Sequence, residues 1–356
     1  MNQDTISNLI LMIFIPFIFV VATIPFFKKI AVQINAIDIP RNRHIHDKPI
    51  PKLGGLAIFG GFLLGYMIFG THSSTMNAIL IGSFIILITG LIDDITELKA
   101  ITQLMGQLVA ACVIVFYGNI LLSDISAFGI YIDFNIFSYP LTIFFILGCI
   151  NCINFIDGID GLSGGISSIY FLTIGIIAVI QGKTGLDFVL TFVMLGSVLG
   201  FLVYNFYPAS IFAGNSGSMF MGFIISVIAL LGFKNVTMTS LIIPLFVLAI
   251  PILDTAFAII RRLLKGQRPF DADKFHIHHQ FLNISHSQKT TVLLIYGIDL
   301  LFAASSILYV TKENNTLSYI IYTILLLIFI ILVLKTNILI DKNYIKEKMD
   351  NKLRRK

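Results

Sequence analysis

Charge is scarce in this sequence. Only 12% of its 356 residues are Asp, Glu, Lys or Arg, while 57% are hydrophobic. A soluble domain of this length could not hide so much apolar surface, so that class is excluded. Cysteine is scarcer still. Cys112, Cys149 and Cys152 are the full set and give no disulfide framework. Cys149 and Cys152 form a Cys-x-x-Cys, but they sit in an apolar helical run without histidine neighbours, which reads as packing rather than redox or metal chemistry. Alternating polar and apolar stretches are few, which argues against a membrane β-barrel. A soluble domain, a low-complexity linker and an internal repeat are also lacking. The first apolar run has neither a basic leader nor a small-residue cleavage site, and reads as a retained helix.

What is there is a series of apolar runs, with a mean hydropathy of +0.93. They predict an all-α polytopic membrane protein of eleven spans, at about 6–27, 53–70, 75–92, 103–118, 137–153, 164–181, 186–203, 218–232, 240–260, 290–310 and 318–335. Of the 24 Lys and Arg, all but Lys183, Lys234 and Lys312 fall in the loops and tail on one side of that arrangement. The positive-inside rule then puts the N-terminus outside and the C-terminus in the cytoplasm of a plasma membrane. This placement accounts for a pI near 9.0 without a nucleic-acid partner. Residues 1–335 read as one membrane domain, and 336–356 as a basic cytoplasmic tail suited to anionic lipid headgroups. The outer loop 118–136 contains the alternating "GIYIDFNIF", which suggests a short β-hairpin.

The inner side gathers the polar chemistry. Asp93 and Asp94 open the loop "DDITELK"; Asp157 and Asp160 stand in "NFIDGIDGLSGG"; "FAGNSGSMF" and "RRLLKGQRPFDADKFHIHHQF" follow. Helix capping could explain Asp157 or Asp160, but suits Asp94 poorly because Asp94 follows its span. The glycines could serve only close helix packing. His276, His278 and His279 lack a nearby Cys or further His, which disfavours zinc. Four carboxylates, several amides and the cations Arg261, Arg262, Lys265 and Arg268 on one face instead suit a diphosphate with magnesium. A secondary transporter would also carry membrane acids, but near the midplane rather than in loops.

Five stretches, "HDKPIPKLGG", "GLIDDITELK", "NCINFIDGIDGLSGG", "VYNFYPASIFAGNSGS" and "DADKFHIHHQF", occur in the order found in one family. In them the chain resembles the polyprenyl-phosphate N-acetylhexosamine-1-phosphate transferases. It looks most like the branch that uses undecaprenyl phosphate and UDP-N-acetylglucosamine to initiate wall teichoic acid or O-antigen. The resemblance implies transfer of N-acetylglucosamine 1-phosphate with release of UMP, by direct attack or through an aspartyl-phosphate. It implies Mg2+, or Mn2+ in its place, and is compatible with a homodimer. It implies that Asp93 and Asp94 act on the lipid phosphate. Lys48, Asp157, Asp160, Lys265, His276, His278 and His279 would contact the nucleotide sugar, and Asn154 and Asn215 the metal. One position departs from the pattern. The family's Gly-Asp-x-Gly is here Gly214-Asn215-Ser216-Gly217, which leaves a catalytically impaired homologue as the alternative.

Overall fold

The computed structural model describes residues 3–40, 49–127, 130–234, 248–264, 266, 277–311 and 316–335. Among them regular structure is helical apart from two short antiparallel ribbons. The helices are α1 (Gln3–Gln33), α2 (Gly54–Phe69), α3 (Ser74–Thr96), α4 (Ala100–Cys112), α5 (Ser138–Ile156), α6 (Leu162–Ile180), α7 (Leu186–Asn205), α8 (Gly214–Lys234), α9 (Ala249–Leu264), α10 (Ile277–Ser285), α11 (Gln288–Thr311) and α12 (Thr316–Lys335). The described part of every predicted span falls on a helix, and the class is all-α and multi-pass. Eight of the helical stretches are long and apolar enough to cross a bilayer by length and composition. The helix α2, at 16 residues, is shorter than a full crossing. Residues 240–247 of the ninth predicted span and the tail 336–356 lie outside the described residues.

Three local features differ from the sequence reading. Asp93 and Asp94 belong to the last turn of α3, not to a loop. The helix stops only at Glu97, whose left-handed backbone (φ 51°) lets its N–H close onto the Asp93 carbonyl. Within the predicted loop 261–289 the chain forms the short helix α10. A two-residue ribbon, β1 (Ile37–Asp38) with β2 (Ile50–Pro51), closes the segment between α1 and α2. The predicted hairpin is present as β3 (Asp124–Ala127) and β4 (Ile130–Asp133).

The helix α8 is the axis of the bundle. It packs on α3 and α5, with α2 alongside; α7 packs on α1, α2 and α6; α11 lies on α6. The apolar stretch of α8 is 89% buried, against 22% for that of α1. Lipid is as apolar as leucine, so such helices associate through close packing rather than a hydrophobic drive. Glycines supply that closeness. A Cβ on Gly196 would sit 2.1 Å from the Ile13 carbonyl oxygen, and one on Gly90 would sit 2.4 Å from Ser216 Cα.

The Gly90 contact is backbone against backbone, so it cannot be relieved by a rotamer change. Gly90→Ala should therefore push α3 off α8 and destabilise the protein by about 1–3 kcal/mol, the usual range for overpacking. Gly148 sits mid-helix in α5 with nothing within 4 Å of a built Cβ. Gly148→Ala should be neutral or slightly stabilising, by up to ~1 kcal/mol. Thermal melts of the two variants in detergent check the contrast; equal midpoints would remove the close-approach argument.

Candidate active site

The N-terminus of α8 is half-buried at Gly214 and Asn215 and buried from Ser216 on, so its leading N–H groups are largely shielded from water and need protein partners. Asp94, from α3, provides them. Its Oδ1 accepts from the Asn215 N–H at 2.7 Å, and its Oδ2 from the Ser216 N–H at 3.1 Å and the Ser216 hydroxyl at 2.8 Å. Asp94 is thus a cap, but for a helix 120 residues later in the chain. Two glycines make room. Gly90, one turn earlier on α3, meets the Ser216 backbone. Gly214, at φ +70°, would drive a Cβ to 2.3 Å from the Lys52 carbonyl and 2.5 Å from Asp94 Oδ2.

A string of side-chain hydrogen bonds continues from there. The Asn215 amide donates to Asp93 Oδ2, while Asp93 Oδ1 accepts from the Leu98 N–H at 2.6 Å. Asn154, on α5, donates to Asn215 Oδ1 at 2.8 Å and to the Ser218 hydroxyl at 2.9 Å. A carboxylate can only accept, so the NH2 of Asn215 must face Asp93, and its carbonyl is left for Asn154.

The "DGIDG" turn forms the opposite wall. Gly161, at φ +79°, carries the chain into α6. Its N–H donates to Asn205 Oδ1 at 3.1 Å, and its carbonyl accepts from the Tyr296 hydroxyl of α11. Asp160 Oδ2 accepts from the Ala209 N–H at 2.9 Å, and Asp157 Oδ1 from the Ser163 hydroxyl. Asp157 keeps part of its surface on the cleft and is packed by protein elsewhere. That burial pushes its pKa up to about 6; the Ser163 hydrogen bond opposes the rise and the charge of Asp160 adds to it.

Between the walls lies a cleft of about 320 Å³. Asp94, Asn154, Asp157, Asp160 and Asn215 line it, so five of the sequence-predicted site residues come together. Asp93 lies behind Asn215, off the lining. His278 and His279 fall in the first turn of α10, whose leading N–H, from Ile277, is held by Asp254 Oδ1 at 2.7 Å. Ile277 also packs in one cluster with Ile156 and Ile159, which flank Asp157. That contact brings the histidine turn beside the "DGIDG" wall. Lys48, Lys265 and His276 lie outside the described residues.

Sequence reading missed four polar contributors to the cleft, one of them the Asn205 that holds Gly161. Lys52 stands in the "HDKPIPKLGG" stretch, four residues past the lysine singled out; Asp38 pairs with it; Gln288 opens α11. Lys52 and Asp38 come together only because β1 pairs with β2. No periodicity signals a two-residue ribbon.

The oxygen donors at the cleft are the hard kind that magnesium takes, and the Asp157 and Asp160 carboxylates with the Asn154 amide fit such an ion. Among the described residues no three His, Cys, Asp or Glu side chains gather closely enough to hold a metal by themselves. Amide and phosphate oxygens would have to complete the shell, which is magnesium's habit.

Comparison with known proteins supplies a family. A family profile described as glycosyl transferase family 4 matches residues 76–233, from α3 to α8. The chain is 38% identical over 347 residues to the "probable undecaprenyl-phosphate N-acetylglucosaminyl 1-phosphate transferase" of Bacillus subtilis, covering 97% of this chain and 96% of that protein. It is 32% identical over 316 residues to a decaprenyl-phosphate N-acetylglucosaminephosphotransferase of Mycolicibacterium smegmatis, covering 79% and 78%. It is 28% identical over 315 residues to the undecaprenyl-phosphate alpha-N-acetylglucosaminyl 1-phosphate transferase of Escherichia coli K12, covering 86% and 85%.

The Ser163 hydroxyl favours the charged form of Asp157, so deleting it should raise the carboxyl's pKa further. In ligand-free protein Asp157 should titrate near pH 6, and Ser163→Ala should move that titration upward by about one unit, the worth of a hydrogen bond to a charged group. Infrared difference spectra of carboxyl protonation, with Asp157→Asn to identify the band, provide the measurement. An unmoved band in Ser163→Ala would break the link.

Proposed function

This chain belongs to glycosyl transferase family 4, and we propose that it transfers N-acetylglucosamine 1-phosphate from UDP-N-acetylglucosamine to undecaprenyl phosphate. One observation carries the reading: the motif residues of α3, α5, the "DGIDG" turn and α8 line a single polar cleft, at one end of helices apolar enough to span a bilayer. Such a place suits a reaction between a water-borne nucleotide sugar and a lipid phosphate. The uneven spread of Lys and Arg supports a cleft that faces the cytoplasm, where nucleotide sugars are made. Initiation of a cell-envelope polysaccharide such as wall teichoic acid follows from the same resemblance.

In the transfer an oxygen of the lipid phosphate attacks the β-phosphorus of the donor. The bond from that phosphorus to the bridging oxygen breaks, and UMP leaves with the electron pair. The chain's residues have separable tasks in this reading. Asp94 faces the cleft from a position fixed by three donors, and so can orient the incoming phosphate without moving. Asp93 sits one layer back and acts through Asn215. Asp157, Asp160 and Asn154 are the residues that would hold magnesium; the ion, when bound, would offset charge on the diphosphate and the departing UMP. His278 and His279, carried on the first turn of α10, are the residues the same reading assigns to the nucleotide sugar.

The test is direct. Purified protein incubated with UDP-N-acetylglucosamine, undecaprenyl phosphate and magnesium should release UMP. Asp94→Asn should cut turnover by ~10²–10⁴-fold, the range for loss of a positioned acid–base group, and should also melt lower, because its NH2 cannot accept from the donors of α8. No UMP above background from the native chain would favour the impaired-homologue reading that Asn215 suggests.

Asn215 supports its own prediction. A carboxylate at 215 would face Asp93 and sit beside Asp94, and like charges in a partly dry site repel. Asn215→Asp should therefore melt lower than the native protein in chelator. It should gain more from added magnesium, because an ion that binds only the folded state stabilises it by mass action. Its half-saturating magnesium for turnover should be lower, or its plateau higher. Coincident magnesium curves in both assays would mean that residue 215 does not meet the ion.

A further inference from the structure

We propose that Lys52 is a phosphate-binding residue of this cleft, paired with Asp38 and released from it to the donor's diphosphate on binding. Among the described lining residues Lys52 is the single basic side chain, against the carboxylates of Asp38, Asp94, Asp157 and Asp160. An anionic ligand entering such walls needs a cationic contact, and among the described lining residues Lys52 supplies it.

Its main chain is held in place. The Lys52 N–H donates to the Ala36 carbonyl at 3.0 Å, and its own carbonyl lies against Gly214, where only a glycine fits. The side chain leaves this anchor on the side of the cleft occupied by Asp94 and Asn215, within electrostatic reach of Asp94. This is also the wall where the family's carboxylate is replaced by an uncharged amide. Lys52 Nζ pairs with Asp38 Oδ1 at 3.1 Å, with side chains 26% and 19% exposed. The pair is screened less than a surface pair but still reached by solvent, so exchange of one anion for another is feasible. A lysine ammonium on a flexible stem is suited to such an exchange, since it serves as a point charge and needs no fixed bidentate partner.

The plain alternative is that the pair only braces β1 against β2. The two roles give opposite signs for one substitution. If Asp38 masks Lys52, Asp38→Asn should tighten binding of a phosphate-bearing ligand. If the pair is a brace, the same change should loosen the ribbon and weaken binding.

The proposal rests on the reading that the cleft takes a nucleotide sugar, and the test separates the two. Full-length protein in detergent is titrated with UMP, UDP-N-acetylglucosamine and, as the phosphate-free control, uridine, in chelator and again in magnesium. In chelator, Lys52→Met should weaken UMP and UDP-N-acetylglucosamine by at least ~10-fold, as for loss of one charge-assisted hydrogen bond. Uridine should be unaffected. Lys52→Arg should retain most of the affinity, and Asp38→Asn should raise it several-fold. Thermal melts establish that each variant is folded. Native protein that binds the nucleotides while Lys52→Met binds them equally well overturns the role of Lys52 alone. Weaker nucleotide binding in Asp38→Asn overturns it in favour of the brace. Native protein that binds none of the phosphate ligands in either buffer overturns the nucleotide-sugar reading of the cleft, and this inference with it.

Discussion

The bundle depends on the capping of α8 by Asp94. A helix that begins packed against other helices has N–H groups largely shielded from water, and each left unpaired would cost on the order of a few kcal/mol. The usual remedy is a side chain just before the helix. Here the residue before Asn215 is Gly214, whose left-handed backbone and missing side chain admit the acid of another helix instead. One carboxylate then satisfies three donors and ties α3 to α8 at a defined register. The position of Asn215 follows from that register, and the positions of Asn154 and Asp93 follow from Asn215.

The cleft combines groups that oppose one another. The helices α6 and α8 begin at its walls, and helix N-termini carry partial positive charge. Much of the positive end of α8 is already spent on Asp94, and four carboxylates line the space. Left alone, the cleft would repel a diphosphate. Cations must enter with the substrate or be supplied by the protein, which is why a hard divalent ion and Lys52 both belong to one account of binding. The carboxylates are then partners for that ion rather than obstacles to the phosphate.

Most of the helical framework was legible in the sequence, because long apolar runs admit few other structures. The errors lie where tertiary contacts outrank local pattern. Asp93 and Asp94 read as a loop because two acids seldom sit inside an apolar helix; α3 includes them because their partners come from α8, 120 residues away. For the same reason capping looked implausible for Asp94: adjacency in sequence was the wrong measure of what it could reach. The helix α10 was hidden in a polar stretch, where its first turn is held by Asp254 from α9. Within the site, Asn154, Asp157, Asp160 and Asn215 could be found because their motifs carry them, whereas Lys52 and Asp38 meet across a ribbon too short to leave a pattern.

Asn215 shows how one atom's identity can alter the demands of a whole cluster. With an amide there, Asp93 receives a donor, Asn154 finds an acceptor, and every link from α3 to α5 is closed by protein alone. With a carboxylate there, the same geometry would set acceptor against acceptor at Asp93, and only a cation could close the gap. Under the proposed function the amide would shift the need for an ion away from this wall and toward Asp157, Asp160 and the phosphates of the ligand. On the same reading the protein would fold with this wall complete before any ion arrived, and the ion's task would narrow to the substrate. A charge on that wall then has to come from a residue not itself part of the network, and Lys52, anchored against Gly214, is placed beside it.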